Sequence, residues 1–312
     1  MKRFIAIFIG LIALALTSVF SIAFSQGQSQ ELANSPKVIA RSRNNNGDQP
    51  SGPAKTGNAK PGANGITYHG GPLLGVLGGA PVTAYYIWYG NWNDNSAPSI
   101  LTDLMLTIAP SPYYNINTTY YNGSNAHVVN AVTYGGSTTD NYSRGTTLSD
   151  SGVQGVVSDA ITSGRLPNNP AGVYFVLTSS DVNESSGFCT SYCGWHTYGT
   201  IAGSNIKFAF IGNPDRCPSA CEAQTIGPNG NAGADGMASI IAHELEEAVT
   251  DPNINAWYQG RYQENADKCA WTFGTTYTAA NGAQANMHLG LRDFLIQQNW
   301  VNALGGYCAL SY

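Results

Sequence analysis

The chain has 312 residues, of which 11% are charged and 43% are hydrophobic, and its formal net charge is −5. Globular proteins usually contain about 25% charged residues, so the polarity of this chain comes largely from Asn, Ser, Thr, Gly and Tyr. From residue 66 onward, seven Lys and Arg stand against seventeen Asp and Glu, which gives 7 − 17 = −10. This acidic balance argues against nucleic acid as a partner, and it favours cation binding or simple solubility.

Residues 1–25 have the pattern of a secretory signal peptide. A basic start precedes the nearly wholly apolar run 4–20, and residues 23–25 offer small side chains at the −3 and −1 positions of a cleavage site. The alternative is an uncleaved membrane anchor, although the run lies at the lower limit for a spanning helix. The sequence therefore predicts a secreted, extracellular protein with no stable membrane anchor after signal cleavage.

Two further regions follow the predicted signal peptide. Residues 26–65 are rich in Asn, Gly, Ser, Pro and Lys, and such a composition buries too little apolar surface to offset the entropy of ordering. We predict a disordered linker or pro-segment there. Residues 66–312 contain all six cysteines and nearly all the aromatic residues, and no Pro/Gly-rich break divides them, so we predict one domain.

Strand and helix patterns alternate along this domain. Strands are predicted at 82–89, 128–134, 172–178 and 206–212, and helices at about 99–108, 149–163, 236–250 and 292–300, with Ser99 and Ser149 as N-caps of the first two helices. The alternation predicts an α/β or α+β single layered domain with a mixed β-sheet. The chain has no G-x-G-x-x-G, Walker or G-x-S-x-G motif, which weakens nucleotide-dependent and α/β-hydrolase interpretations.

The six cysteines form an even set behind the predicted signal peptide, which indicates disulfides. The favoured pairing is Cys189–Cys193, Cys217–Cys221 and Cys269–Cys308, because each C-x-x-x-C pair can close a short loop. A four-cysteine zinc site built from the first two pairs is the alternative, and an oxidising compartment disfavours it.

The most informative motif is His243-Glu244-Leu-Glu-Glu247, inside the helix predicted at 236–250. His243 and Glu247 lie one turn apart on one helix face, where an imidazole and a carboxylate can hold one divalent metal. The spacing matches the zinc-peptidase helix H-E-x-x-H, with Glu247 in place of the second His. The alternative is that these acids form the solvated face of an ordinary helix.

A catalytic zinc site usually needs three protein ligands and a water. Glu264 and His196 are the two candidates for the third ligand. Asp267 is predicted to hold one of the metal-binding side chains in orientation without binding the metal itself. Glu244 would act as general base toward water, so the expected reaction is hydrolysis of an amide or ester bond. Calcium is a weaker candidate, because a His ligand does not suit it. His69, His127 and His288 lack clustered partners in the sequence and are expected to be structural.

Several motifs together resemble one known family. They are residues 174–182, Gly187-Phe-Cys189, Cys193-Gly-Trp-His196, Arg216-Cys-Pro218, residues 242–253 around His243, and Asp267-Lys-Cys269. In this order they resemble the exordium family, also called phosphate-induced protein 1, over about residues 66–312. The resemblance implies secretion to the cell wall or apoplast in plants and a link to growth, cell expansion and hormone or nutrient responses; related sequences also occur in bacteria. It also places the family's H-E-L-x-E helix on His243, Glu244 and Glu247.

Two functional hypotheses follow from these observations. The first is an exordium-like extracellular protein with a mononuclear zinc site and metallohydrolase activity toward a peptide or cell-wall polysaccharide. The second is a non-catalytic wall-associated or signalling protein in which any metal is structural. Low charge and abundant Tyr, Trp and Asn favour the second.

Overall fold

The computed structural model describes the backbone of residues 38–41 and the whole of residues 65–260 and 263–312. The predicted signal peptide and most of the predicted linker lie outside these residues. Residues 38–41, which lie within the predicted linker, are described and form a β-strand. Among the described residues, no helix has the length and apolarity needed to cross a membrane.

The described residues contain four α-helices and sixteen strands, and three short 3-10 helices lie at Tyr114–Thr119, Pro214–Arg216 and Asp267–Cys269. The α-helices are α1 (Ala97–Thr107), α2 (Asp150–Thr162), α3 (Pro218–Cys221) and α4 (Ala232–Thr250). The strands are β1 (Val38–Arg41), β2 (Thr67–Tyr68), β3 (Val82–Tyr89), β4 (Val132–Asp140), β5 (Thr147–Leu148), β6 (Gly172–Thr178), β7 (Asn183–Glu184), β8 (Tyr192–Ile201), β9 (Ser204–Ile211), β10 (Trp257–Tyr258), β11 (Tyr277–Thr278), β12 (Gln284–Ala285), β13 (Met287–Leu289), β14 (Arg292–Phe294), β15 (Asn299–Val301) and β16 (Tyr307–Ala309).

The centre of the domain is a mixed six-stranded sheet in the order β1-β8-β9-β6-β3-β4. Strands β4, β3, β6 and β9 run parallel, whereas β8 and β1 are antiparallel to their neighbours. All seven residues of β6 are buried, as expected for a central strand that is covered on both faces. The predicted mixed sheet in a single layered domain is therefore confirmed.

Helices cover both faces of this sheet. Helix α4 lies against β6, β8 and β9, and α1 packs beside it. Helix α2 contacts the same three strands. A Cβ added at Gly194 would meet Ile240 of α4, whereas one added at Gly199 would meet Gln154 of α2. Because side chains an odd number of residues apart in a strand point to opposite faces, the two helices lie on opposite sides of β8.

Helix α4 is the central helix, since 17 of its 19 residues are buried. Its N-cap is Asn231, whose Oδ1 accepts a hydrogen bond from the backbone N–H of Ala234 at 3.0 Å. The helix begins earlier than predicted, at residue 232 rather than 236. Gly233 allows this, because a Cβ there would lie 2.3 Å from the Asp215 carboxylate. The early glycines thus permit close packing of the helix against the Pro214–Arg216 turn.

Several predicted elements are confirmed and others are wrong. The strands Val82–Tyr89 and Gly172–Thr178 and the N-cap at Ser149 are confirmed. Ser99 is not the N-cap of α1, because the helix starts at Ala97 after Ser96 and contains proline in its first turn. The strand predicted at 128–134 lies later in the chain, at Val132–Asp140.

The predicted terminal helix at 292–300 is wrong. The segment contributes strands β14 and β15, which pair with β13 and β16. Phe294, Leu295 and Ile296 are all buried in succession. Pairing with β13 and β16, together with burial of these side chains, favours the extended conformation over a helix here.

All six cysteines form disulfides, in the pairs Cys189–Cys217, Cys193–Cys221 and Cys269–Cys308. The last pair confirms the prediction, but pairing within each C-x-x-x-C motif and the alternative cysteine zinc site are wrong. Cys217 caps the short helix α3 and Cys221 is its last residue, so their side chains lie one turn apart on one face. Rather than bonding to each other, Cys217 bonds to Cys189 in the loop before β8, and Cys221 bonds to Cys193 at the start of β8.

Candidate functional site

Helix α4 places His243 and Glu247 one turn apart in the interior of the domain. Nε2 of His243 lies 3.0 Å from Oε1 of Glu247, and His243 is 1% exposed while Glu247 is fully buried. Glu244, the next residue along the helix from His243, is also fully buried. These acids are therefore not the solvated face of an ordinary helix.

Strand β8 brings His196 to the same place. Gly194 and His196 are two residues apart on β8 and therefore face the same side of the sheet. A Cβ at Gly194 would lie 2.5 Å from Cγ2 of Ile240 and 3.2 Å from Oε1 of Glu244, so α4 packs tightly on the strand there. Nε2 of His196 consequently lies 3.7 Å from Oε2 of Glu247.

The segment from Glu264 to Cys269 closes the arrangement. Oε2 of Glu264 lies 2.7 Å from Nε2 of His196, and Oδ1 of Asp267 lies 3.7 Å from Nε2 of His243. The backbone N–H of Asp267 donates a hydrogen bond to Oε1 of Glu247 at 3.1 Å. Cys269 ends the 3-10 helix that Asp267 begins, and its disulfide ties this segment to β16.

We call this group the His/carboxylate cluster; its members are His196, His243, Glu244, Glu247, Glu264 and Asp267. Glu247 is at its centre, because one carboxylate oxygen faces each histidine. Among the described residues, the donor atoms of His196, Glu244 and Glu247 lie within 4.8 Å of one another, as do those of His243, Glu247 and Asp267. The sequence-predicted site residues are thus brought together, whereas His69, His127 and His288 lie outside both donor sets.

Each of the two donor triads has the chemistry and the spacing of a site that could hold a metal ion. Around a tetrahedral zinc with bonds of about 2.0–2.1 Å, the donor atoms lie roughly 3.3 Å apart. The contacts of Glu247 with the two histidines and of Asp267 with His243 span 3.0 to 3.7 Å, whereas the 2.7 Å contact between His196 and Glu264 is a hydrogen bond. Nε2 of His243 and Oε2 of Glu247 are buried and have no hydrogen-bond partner among the described residues. Buried polar atoms without partners are costly, and a shared cation would satisfy them.

Burial shifts the protonation equilibria of the cluster. It lowers the pKa of His196 to about 3, with a further contribution from His243, and the pKa of His243 to about 4, against the opposing effect of Asp267. Both imidazoles are therefore neutral at pH 7, which is the form that binds metals. Burial also raises the pKa of the Glu247 and Glu264 carboxyls well above the ordinary range. A cation would oppose that rise by stabilising the carboxylates.

Two further residues shape the site and were missed in the sequence. Asp251 is fully buried, and its Oδ1 accepts hydrogen bonds from the backbone N–H groups of Asn255 and Ala256, each at 2.6 Å. Its carboxyl also contributes to the raised pKa of Glu264. Gly194 was overlooked because β8 itself was not predicted. The run 192–201 is rich in aromatic and β-branched residues, which is the signal that could have found the strand.

The family whose profile matches this chain is described as "Phosphate-induced protein 1 conserved region", and the match spans residues 66–289. The chain belongs to the phosphate-induced protein 1 family. The matched range contains every member of the His/carboxylate cluster. The predicted resemblance to the exordium and phosphate-induced protein 1 family is therefore confirmed.

Named relatives of the family are similar over most of the chain. Protein EXORDIUM-like 3 of Arabidopsis thaliana is 32% identical over 283 residues, which covers 78% of this chain and 82% of the relative. Protein EXORDIUM-like 5 of the same plant is 32% identical over 276 residues, covering 75% of each chain. Protein PHOSPHATE-INDUCED 1 of Nicotiana tabacum is 26% identical over 224 residues, which covers 62% of this chain and 67% of the relative. No solved structure matches the chain.

Membership of the phosphate-induced protein 1 family and three disulfides fit an extracellular protein linked to growth. Disulfides persist in oxidising compartments and are rare in the cytosol, so the cysteine usage and the family point the same way.

Proposed function

We propose that this protein acts outside the cell and binds one zinc ion through His243, Glu247 and a third ligand, His196 or Glu264, which leaves a fourth position for water. Support comes chiefly from Glu247, which presents one oxygen to each of two buried, neutral histidines. Nε2 of His243 lies 3.0 Å from Glu247 without forming a hydrogen bond, so the two donors converge rather than pair. Nitrogen and oxygen donors at this spacing suit zinc better than calcium.

We further propose hydrolysis of an amide bond in a peptide or an ester bond on a polysaccharide, with Glu244 as the general base. A bound zinc ion supplies Lewis acidity, which polarises a substrate carbonyl and makes water more acidic. Glu244 follows His243 on α4, and its carboxylate lies within 4.8 Å of donor atoms of His196 and Glu247. Glu244 would be the group that takes a proton from the attacking water and returns it to the leaving group.

Glu244→Gln tests the catalytic part of this proposal. Zinc content, measured by elemental analysis of protein purified without a metal-affinity tag, should stay within about 20% of wild type. Hydrolysis of a fluorescence-quenched peptide library should fall at least 100-fold, because the proton acceptor is lost. His288→Ala, which changes an exposed histidine, is the control and should leave both quantities unchanged. Equal hydrolysis by wild type and Glu244→Gln would remove Glu244 from the mechanism.

The second candidate is a non-catalytic extracellular protein with a structural metal. One observation favours it: five of the six cluster residues are at most 1% exposed, and only Asp267, with an 11% exposed side chain, touches solvent. A catalytic ion must be reached by substrate. This candidate would be favoured if wild type, Ile39→Pro and Ala40→Pro all bind zinc but do not hydrolyse the library. The two proline substitutions disrupt strand β1.

The proposed location rests on the signal-like residues 1–25 together with the family. Expression of the full chain in a secreting host should release a mature form that begins near residue 26. N-terminal sequencing of protein from the medium measures this. Retention of the whole chain in the membrane fraction would instead support the membrane-anchor alternative.

A further inference from the structure

The edge of the central sheet beside the His/carboxylate cluster is occupied by a strand from outside the family-matched domain. Strand β1 (Val38–Arg41) pairs antiparallel with β8, whose other side pairs with β9. The family match begins at residue 66, twenty-five positions after β1 ends. Within the domain itself, β8 is therefore the edge strand, with backbone groups open to a further strand.

The register places this added strand next to the cluster. Val38 lies opposite His196, and Ala40 lies opposite Gly194. Strand β1 also lies against helix α4 and the Asp267–Cys269 turn. Its backbone thus borders three of the structural elements that supply the cluster, so whatever occupies this edge lies beside the site.

The interaction is one that any extended polypeptide can make. An edge strand binds a peptide through main-chain hydrogen bonds, and the peptide adds one strand to the sheet. Charge favours the segment that carries β1. Residues 26–65 hold five Lys and Arg against two Asp and Glu, which gives 5 − 2 = +3, whereas residues 66–312 carry −10. A basic peptide is therefore attracted to the acidic domain before it pairs.

We propose that the β8 edge beside His196 is a binding site for an extended basic polypeptide, and that Val38–Arg41 occupies it in cis. The segment then acts as an intramolecular competitor, and its displacement or removal opens the edge to a peptide in trans. A peptide bound at this edge would be the substrate of the His/carboxylate cluster, and that part of the proposal rests on the proposed function. Peptide binding at the edge needs only the backbone of β8.

Proline substitutions in the full chain test the proposal. Hydrogen bonds alternate along an antiparallel ladder, so one of the neighbours Ile39 and Ala40 donates to β8, and both Ile39→Pro and Ala40→Pro are made. The probe is a fluorescein-labelled peptide with the sequence of residues 36–43, followed by fluorescence anisotropy. Asn44→Pro, three positions after β1 ends, is the matched control.

The competition sets the expected size of the effect. A tethered strand acts at an effective concentration on the order of 1 mM, so a peptide with a Kd of about 100 µM should bind wild type roughly ten-fold more weakly than the better proline variant. Amide exchange at Gly194 and His196, measured by hydrogen-exchange mass spectrometry, should rise about ten-fold in that variant and fall again when peptide is added. Asn44→Pro should behave as wild type.

Two results would overturn the proposal. One is unchanged peptide binding together with unchanged exchange of the β8 amides in both Ile39→Pro and Ala40→Pro. The other is an equal gain in Asn44→Pro, which would show that pairing by β1 is not responsible. Zinc content of the same proteins reports on the proposed function separately: a zinc-free chain that still binds the peptide counts against the metal site and leaves the binding edge standing.

Discussion

Gly194 determines how closely helix α4 approaches strand β8. Its missing side chain leaves room for Ile240 and for the carboxylate of Glu244, and the carbonyl oxygen of Phe210 would lie only 2.9 Å from an added Cβ. The distance between the helix and the strand sets the distance between Glu247 and His196. One residue without chemistry of its own therefore positions the His/carboxylate cluster.

Gly194→Ala should lower the free energy of unfolding by about 1–3 kcal/mol, because an extra methyl group in a packed core forces side chains and backbone to shift. Zinc content should fall as well, since the donors on α4 and β8 move apart. Urea denaturation and elemental analysis measure the two effects. Gly123→Ala is the matched control, because its added Cβ would find only ordinary contacts at 3.7 Å. Equal stability of both variants would show that the close approach is unimportant.

Glu222 gives the stability a dependence on pH. Burial raises the pKa of its carboxyl to about 7, and the neighbouring Asp215 adds to the rise. Between the ordinary value of 4.5 and 7, the unfolded chain releases this proton while the folded chain keeps it, so stability falls as pH rises through that window and stays low above it. Glu222→Gln removes this loss.

We therefore expect Glu222→Gln to raise the urea midpoint relative to wild type at pH 8 and to leave it unchanged at pH 4, where the carboxyl is protonated in both states. Urea titrations of both proteins at the two pH values measure this. An equal shift at pH 4 and pH 8 would mean that packing or hydrogen bonding, rather than ionisation of Glu222, causes the difference.

At the residue scale, the sequence predicts local chemistry better than distant partners. The spacing of His243 and Glu247 fixes their relation, because a helix brings residues four apart together. His196 and Glu264 are 68 residues apart in the chain and meet at 2.7 Å only because β8 and the segment before Cys269 both reach α4. No short-range sequence pattern shows that these two residues meet, so His196 and Glu264 were predicted only as alternatives for the third metal ligand.

At the element scale, two disulfides bind helix α3 to the entrance of β8. Cys189–Cys217 and Cys193–Cys221 each span 28 residues. A first cross-link of that span stabilises by about 3–4 kcal/mol in the chain-entropy account, and a second one parallel to it adds less because it closes a smaller loop. The pair fixes the strand that carries His196, so the disulfides support the site as well as the fold.

The disulfide connectivity predicts a specific peptide map. Unreduced protein, denatured at low pH and cleaved by chymotrypsin after Tyr192, should give Cys189 and Cys193 on separate fragments that are both joined to the peptide containing Cys217 and Cys221. Mass spectrometry before and after reduction identifies these species. A fragment in which Cys189 is joined to Cys193 alone would show instead that the pairing within each C-x-x-x-C motif is right.

Most elements with a clear local signal were predicted, whereas short strands in the terminal segment were not. Strands β3 and β6 are runs of β-branched and aromatic residues, and α2 has a serine cap, so each carries its own evidence. Strand β8 carries a comparable signal that was overlooked, and the three-residue strands β14 and β15 flank a buried apolar run whose pattern alone also fits a helix. The short C-x-x-x-C spacing led to a wrong disulfide prediction. Spacing within one motif does not show that folding brings the cysteines of another motif closer.

At the scale of the whole molecule, the alternation of strands and helices was enough to predict a mixed sheet in one layered domain. It could not predict that Val38–Arg41 extends this sheet, because the segment has the composition of a linker and gains its strand conformation from β8. In the sequence, residues 26–65 with a charge of +3 precede a domain of net charge −10 that contains a buried cluster of histidines and carboxylates. Cation binding and peptide binding at one edge would both follow from that arrangement.

The central claim is that donors from α4, together with one from β8 or from the segment before Cys269, hold one metal ion. Zinc X-ray absorption spectroscopy with elemental analysis, on protein purified without a metal-affinity tag, tests it most directly. We predict about one zinc per chain, with nitrogen and oxygen neighbours at about 2.0–2.1 Å and no sulfur at about 2.3 Å. Less than about 0.2 zinc per chain, or a sulfur shell, would contradict the account.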